Sequence, residues 1–174
     1  MTAPAPSHLP VLRDEILAAL AGARRVVDGT LGHGGHAEAF LAAGAEVLGI
    51  DRDPDALAIA RARLAGAGDR LTTVEGSFFD PDVLERIAGF QPDAILLDLG
   101  VSSRQLDDDT RGFTFRPGAP LDMRMETAGP TAADLLAEAD EAELARIFRE
   151  YGDEPKARRL AAESGRRRGR TPLL

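Results

Sequence analysis

Three acidic side chains and a glycine-rich loop are the residues of this sequence best suited to chemistry. The loop runs from Gly29 to His36, with Asp28 directly before it. Asp51 follows 19 residues after Gly32, and Asp98 ends a later apolar run. Glycines let a backbone approach a ligand closely, and an acid at this spacing can accept hydrogen bonds from two ribose hydroxyls. The pattern therefore predicts a site for a nucleoside-containing cofactor.

Two cofactors fit such a site, a dinucleotide and S-adenosylmethionine. The dinucleotide pattern of three glycines is only partly met, because Ala37 stands where the third glycine is expected. Asp28 is hard to place beside a pyrophosphate, but it suits the zwitterionic amino acid of S-adenosylmethionine. The residues favour the methyl donor, and an NAD-dependent oxidoreductase stays as the alternative.

The same residues give little support to a metal site or a covalent mechanism. His33 and His36 lie three residues apart without a third ligand, so no metal is predicted. The sequence has no cysteine, so catalysis through a cysteine thiolate is excluded. Asp98 ends an apolar run, where open α/β sheets bind substrate, and is the candidate catalytic residue.

Short apolar runs that alternate with helical patterns would position these residues. Four strands are predicted, over residues 25–30, 45–51, 71–75 and 93–98. Four helices are predicted, over residues 9–20, 36–43, 56–64 and 81–87. Asp53 is expected to cap the third of them, with Pro54 at its first helical position. This alternation predicts an α/β fold with a doubly wound parallel sheet of Rossmann-like type. Asp51 and Asp98 each end a predicted strand, and Asp98 should lie at the carboxyl end of the fourth strand, where open α/β sheets bind substrate.

The pattern changes after Gly100. Residues 101–129 are rich in Asp, Arg, Gly and Pro and predict a long loop, of a kind that is usually either functional or disordered. The rest is helical, and Asp140 is expected to cap a helix. We predict two domains, a cofactor-binding domain over 1–130 and the beginning of a helical insertion over 131–174.

Charge and composition restrict which binding partners and which cellular compartment are expected. The net charge is −8, and basic residues are concentrated after Pro155, where Glu163 is the single acid. A strongly acidic body argues against indiscriminate binding to nucleic acid, although the basic stretch could contact phosphate. The N-terminus has no signal-peptide pattern, and no apolar run reaches the roughly 18 residues that span a membrane. A cytoplasmic protein is expected, and the oligomeric state is not predicted.

Six motifs read together resemble one known family. They are DGTLGHGGH (28–36), IDRDP (50–54), LLDLGVSS (96–103), QLD (105–107), RGF (111–113) and PLDMRM (120–125). In this order they are similar to the bacterial ribosomal RNA small subunit methyltransferase H family, also called MraW. The resemblance runs from about residue 8 to residue 160.

The resemblance implies an activity and a set of site residues. The family methylates the exocyclic N4 of cytidine 1402 in 16S ribosomal RNA of the small ribosomal subunit, with S-adenosylmethionine as cofactor. The residues that match its cofactor contacts are Gly34, Gly35, His36, Asp51, Phe78, Asp98 and Gln105. Among them, the resemblance gives Asp51 to the ribose and Phe78 to the adenine.

Two departures from the family pattern bear on these expectations. Arg104 replaces the usual proline between the serine pair and Gln105. Family members are also typically near twice as long, so the chain is expected to stop inside the helical insertion. A cofactor-binding fragment without full catalytic activity is therefore the second alternative.

Overall fold

The computed structural model of the protein describes residues 10–126 and 128–168. Its strands are β1 (Arg25–Asp28), β2 (Glu46–Asp51), β3 (Leu71–Glu75) and β4 (Ala94–Leu96). Its helices are α1 (Arg13–Ala19), α2 (Gly35–Ala42), α3 (Pro54–Arg63), α4 (Pro81–Phe90), α5 (Ser103–Asp107), α6 (Ala132–Glu138), α7 (Glu141–Glu150) and α8 (Ala157–Arg167). Contacts divide the chain into two compact units, Met1–Gly100 and Val101–Leu174.

The four strands form one parallel sheet in the order β3-β2-β1-β4. The chain builds outward from β1 through β2 to β3 and then returns to place β4 on the other side of β1. Open sheets of this kind bind ligands at the carboxyl ends of the strands, beside the point where the order reverses. Here that point lies between β1 and β4. The predicted α/β class with a parallel sheet is confirmed.

Helices cover both faces of the sheet. Neighbouring residues of a strand point to opposite faces, so each strand has apolar side chains to bury on both. Val26 and Val47 are fully buried against α2 and α3. Val27 and Leu48 face the other way and pack with Val83 of α4. The sheet is therefore doubly wound, as predicted, with a hydrophobic core on each face.

Local sequence signals set several helix boundaries. Asp53 accepts a hydrogen bond from the backbone N–H of Asp55, and Pro54 occupies the first turn of α3, so this predicted start is confirmed. Helix α1 is shorter than the predicted 9–20, because Leu12 has a φ of 50° and the helix begins only after it. Residue 9 lies outside the described residues. Asp140 caps α7 as expected, accepting from the N–H of Glu143.

The second unit, Val101–Leu174, contains helices α5 to α8. Helices α7 and α8 pack together, with Leu144, Ala157 and Ala161 buried. Within the predicted loop 101–129 the chain forms α5 and a short 3-10 turn over Asp109–Arg111. The domain division at residue 130 stays a prediction, and the end of the basic stretch, including Arg170, lies outside the described residues. No helix in the described part is long and apolar enough to cross a membrane.

The two edges of the sheet differ in chemistry. The edge strand β3 carries polar side chains, and Arg61 donates a hydrogen bond to Thr73. The other edge strand, β4, is apolar, and Ile95 exposes 54% of its surface. Open apolar edges favour pairing with another chain, whereas polar and charged edges oppose it.

We predict that the chain self-associates through the β4 edge. Ile95→Lys should place a charge on this edge and lower the degree of association, measured by analytical ultracentrifugation over a range of concentrations. Thr72→Lys, on the exposed face of β3, is the matched control and should leave association unchanged. A wild-type chain that stays monomeric at every concentration contradicts this prediction.

Candidate active site

The glycine-rich loop lies across the carboxyl ends of the central strands. The backbone N–H of Gly29 donates to the carbonyl of Leu96, the last residue of β4, at 2.9 Å. The N–H of Leu31 donates to the carbonyl of Ile50 in β2, also at 2.9 Å. The loop is therefore fixed on both sides of β1, and it leads directly into α2.

Two glycines make this close packing possible. Gly34 caps α2 with a φ of +78°, and a Cβ there would lie 2.7 Å from the Leu64 side chain. Gly49, in β2, faces the Leu31 side chain, and its Cβ would also lie within 2.7 Å. Any larger side chain at either position would push the loop away from the sheet.

Asp51 holds the loop through both carboxylate oxygens. Its Oδ2 accepts a hydrogen bond from the N–H of Gly32 at 2.7 Å. Its Oδ1 accepts from the N–H of Asp53 at 2.9 Å, where α3 begins. A carboxylate has about four lone-pair positions, so both oxygens retain capacity for a further donor. Asp51 is partly exposed and is thus able to bind a ligand while it holds the loop.

Asp28 is an acid buried at the centre of this edge, with 1% of its surface exposed. Its Oδ1 accepts a hydrogen bond from the N–H of Thr30 at 3.3 Å. Its Oδ2 has no hydrogen-bond partner among the described residues. Burial is the main cause that raises the pKa of Asp28 to about 7; the Thr30 hydrogen bond opposes it, and the charges of Asp51 and Asp98 add to it.

Asp98 and His36 lie next to each other beyond the end of β4. The N–H of Asp98 donates to the Thr30 hydroxyl at 2.7 Å, while its side chain is 47% exposed. Asp98 Oδ2 is 3.7 Å from Nε2 of His36, which is longer than a hydrogen bond. Burial lowers the pKa of His36, and the charge of Asp98 only partly opposes this. A neutral imidazole is therefore the partner of Asp98 at neutral pH.

Phe78 follows β3 and lies close to the beginning of the glycine loop. Its ring packs against Phe79, with the ring centroids 4.5 Å apart. The buried Ser77 orders this segment, because its hydroxyl accepts from Arg52 at 2.9 Å and from the N–H of Phe79 at 3.2 Å. Phe78 is partly buried and presents an apolar ring at the same edge.

The structure brings most of the predicted site residues together. The members that share the carboxyl edge of the first unit are Gly34, Gly35, His36, Asp51, Phe78 and Asp98. Gln105 belongs to the second unit, where its Oε1 accepts from the N–H of Ser102 at 2.8 Å. Gln105 N–H donates back to the Ser102 hydroxyl at 3.2 Å, so this pair orders the start of α5. Its cofactor role stays a prediction.

A cavity at the amino ends of the strands differs from this site in its lining residues. It measures about 630 Å³ and lies near the amino ends of β1 and β2, lined in part by Leu17, Arg24 and Phe40. It has neither the glycine loop nor the acids at the strand ends. In residues 10–126 and 128–168, no three His, Cys, Asp or Glu side chains are grouped to hold a metal.

Comparison with known proteins identifies the family. The sequence matches the MraW methylase family over residues 5–174. The chain belongs to this family. The predicted resemblance to MraW is therefore confirmed.

Curated relatives are similar to nearly all of the chain. The Ribosomal RNA small subunit methyltransferase H of Nocardioides sp. is 52% identical over 97% of this chain and 56% of its own length. The protein of the same name from Beutenbergia cavernae is 53% identical over 95% of this chain and 53% of its own length. The chain thus spans about half the length of the curated relatives it matches.

A solved structure of cofactor-bound Rv0187 from MTB is 23% identical, with a TM-score of 0.45. It covers 97% of this chain and 72% of that chain. A similarity at this level adds nothing to the MraW assignment.

Sequence reasoning missed two contacts of this MraW site. The first is the approach of His36 to Asp98, and the second is the Thr30 hydroxyl that holds the Asp98 backbone. Both join the loop after β1 to the segment after β4. The order β3-β2-β1-β4 creates these contacts, and a list of strands in chain order does not show it.

We predict that Asp28→Asn stabilises the chain above pH 4, by an amount that grows up to about pH 7. The pKa of Asp28 in the folded chain is about 7, against an ordinary value of 3.8, so the unfolded chain ionises first as pH rises. The free energy of unfolding of the wild type therefore falls across this pH range, by a total on the order of 4 kcal/mol for this one carboxyl group. Asparagine carries no charge and avoids this loss.

Urea unfolding at pH 4, 5.5, 7 and 8 measures the difference between the two proteins. Asp69→Asn, which changes an exposed acid far from the site, is the control and should follow the wild type. The same Asp28→Asn effect at pH 4 and pH 8 would show that folding does not raise the pKa of Asp28.

Proposed function

We propose that this chain is the cofactor-binding part of an enzyme that methylates the exocyclic N4 of cytidine 1402 in 16S ribosomal RNA. The proposed methyl donor is S-adenosylmethionine. The main support is the arrangement of Asp28, Asp51 and Asp98 around one glycine loop, in a chain of the MraW methylase family. The relatives are named as methyltransferases of the small-subunit ribosomal RNA.

The residues at this edge fit the proposed cofactor. The glycine loop leads into the beginning of α2, where the helix dipole favours a carboxylate. Asp51 retains acceptor capacity for ribose hydroxyls. Asp28 offers a buried acceptor without a partner, which suits a cation and not a pyrophosphate. This difference, together with the family, favours S-adenosylmethionine over NAD.

The order of the strands supports one orientation of the cofactor. Phe78 follows β3, Asp51 ends β2, Asp28 ends β1, and Asp98 follows β4. Neighbouring strands are about 4.8 Å apart, so the four positions span roughly 14 Å along the edge. Adenine would lie against Phe78, and the ribose would bind Asp51. The amino-acid part would then lie over β1, next to Asp98.

The proposed chemistry needs alignment more than covalent catalysis. When bound, S-adenosylmethionine supplies an electrophilic methyl group on a sulfonium. Asp98 accepts a hydrogen bond from the cytosine amine, which draws the nitrogen lone pair out of conjugation with the ring. As the bond from nitrogen to the methyl carbon forms, Asp98 takes the amine proton and later releases it to solvent. Gly34, Gly35 and His36 would hold the glycine loop in place around the bound cofactor.

The target is expected to be a base turned out of the folded RNA. Enzymes that modify bases take the target out of the stack and read its edge in a pocket. Double-stranded RNA is recognised mostly by its shape. An acidic protein cannot rely on bulk charge, so the expected substrate is the folded RNA of a partly assembled small ribosomal subunit. The compartment proposed with this substrate is the cytoplasm.

We predict that Asp51→Asn weakens binding of S-adenosylmethionine about tenfold or more. A hydrogen bond to a charged group contributes about 1.5–3 kcal/mol, and Asn keeps one acceptor for the loop while removing the charge. Titration calorimetry measures the affinity, and circular dichroism checks the fold. Asp82→Asn, an exposed acid in α4, is the control. Unchanged affinity in Asp51→Asn would remove Asp51 from the site.

We also predict that loss of the Asp98 carboxylate lowers methyl transfer at least roughly hundredfold. The Asp98→Asn variant of this chain and the matching variant of the longer Nocardioides relative are compared with their wild types. Purified small ribosomal subunits and short free RNA are the two substrates, and mass spectrometry of nucleosides locates the methyl group. N4-methylcytidine formed mainly on subunits is the expected product. Methyl on C5 or on a ribose oxygen, or full activity without Asp98, contradicts the proposal.

A further inference from the structure

The segment that carries Asp98 has little support from its own surroundings. β4 ends at Leu96, and residues 97–100 continue without regular structure and exposed to solvent. Leu99, next to Asp98, exposes 70% of its surface. In residues 10–126 and 128–168, the hydrogen bond that holds the backbone of this segment runs from the Asp98 N–H to the Thr30 hydroxyl, at 2.7 Å. The position of Asp98 therefore depends on Thr30.

Thr30 belongs to a part of the glycine loop that is fixed on both sides. Gly29, before it, donates its N–H to the carbonyl of Leu96 at 2.9 Å. Leu31, after it, donates its N–H to the carbonyl of Ile50 at 2.9 Å. The side chain of Thr30 is β-branched, which restricts its rotation and thereby the direction of its hydroxyl. The hydrogen bond thus attaches an exposed segment to a fixed part of the fold.

A fixed backbone also limits where the Asp98 carboxylate can lie. Side chains occupy a few staggered rotamers, so the carboxylate has few positions once its backbone is held. In the position that the structure shows, Oδ2 is 3.7 Å from Nε2 of His36. That nitrogen is buried and has no hydrogen-bond partner in the described part of the chain. The Thr30 hydroxyl therefore keeps the carboxylate beside a nitrogen that nothing else uses.

We propose that Thr30 is a positioning residue for the methyl transfer. Its hydroxyl holds the Asp98 backbone so that the carboxylate stays beside His36 and is directed at the amine of the substrate. The assignment rests on the proposed function, because it needs Asp98 as the group that accepts the amine hydrogen bond. Thr30 itself does not contact the substrate, so loss of its hydroxyl should act only through Asp98.

Thr30→Val tests this role because it removes the acceptor and keeps a branched side chain. The released N–H of Asp98 can bind water, since its segment is exposed. The kcat of methyl transfer should fall about tenfold or more, because a displacement of about 1 Å can cost a hundredfold in rate. The KM for S-adenosylmethionine, and its affinity measured by calorimetry, should stay unchanged. Thr30→Ser keeps the hydroxyl and should retain most of the wild-type rate.

The assay compares variants of this chain and matching variants of the longer Nocardioides relative, on purified small ribosomal subunits. In an Asp98→Asn background, Thr30→Val should lower kcat no further, because residues that act as a unit are not additive. Thr73→Val is the matched control. It removes a threonine hydroxyl that accepts a hydrogen bond from Arg61 at 2.7 Å, on the edge strand β3, and should leave kcat unchanged.

Amide hydrogen exchange followed by NMR tests the hydrogen bond itself, without substrate. After correction for intrinsic rates, the Asp98 N–H of the wild-type chain should exchange on the order of tenfold more slowly than those of Leu97 and Leu99. Thr30→Val should remove this difference, whereas Thr30→Ser and Thr73→Val should keep it. If circular dichroism shows that Thr30→Val does not fold, Thr30→Ala, which is smaller and also lacks the hydroxyl, takes its place.

The outcomes separate this inference from the proposed function. An Asp98 N–H that exchanges as fast as its neighbours, or an unchanged kcat in Thr30→Val, contradicts the positioning role and leaves the proposed function in place. A further loss of kcat in the double mutant, or a Thr30→Ser variant as slow as Thr30→Val, contradicts it as well. A higher KM for S-adenosylmethionine with unchanged kcat would assign Thr30 to cofactor binding instead. Wild-type proteins that transfer no methyl group contradict both the proposed function and this inference.

Discussion

The hydrogen bond between the Asp51 carboxylate and the backbone of Gly32 is the contact on which the arrangement of the site depends. It attaches the loop after β1 to the end of β2, while the second oxygen of Asp51 holds the beginning of α3. The loop in turn presents Thr30, whose hydroxyl fixes the backbone of Asp98 beyond β4. One carboxylate thus connects three strand ends before any ligand is present.

This arrangement places three acids at one edge of a small sheet, which opposes folding. Asp51 is compensated by two backbone donors, and Asp98 by exposure to solvent. Asp28 has one long hydrogen bond and almost no exposure, so burial acts on it most strongly. A buried acid with so few hydrogen-bond partners is typical of functional sites, where a ligand supplies the partner that the folded chain lacks. The same acids explain why a cation fits this edge better than a phosphate.

The sequence predicts much of this fold because its signals are local. Apolar runs that end in an acid mark β2 and β4, and Asp53 with Pro54 marks the start of α3. Contacts between segments distant in the chain are not visible in this way. The approach of His36 to Asp98 depends on β4 pairing with β1, which periodicity does not encode. The late beginning of α1 depends on the backbone of Leu12, which the apolar pattern does not indicate.

The most direct test of the account is a crystal structure of this chain with S-adenosylhomocysteine. The account predicts the ligand along the carboxyl edge, with ribose hydroxyls on Asp51, the amino group on Oδ2 of Asp28 and the adenine beside Phe78. The glycine loop should keep its bonds to Asp51 and Ile50. A ligand bound in the cavity beside Leu17, at the amino ends of the strands, would contradict the account. A ribose that does not contact Asp51 would contradict it as well.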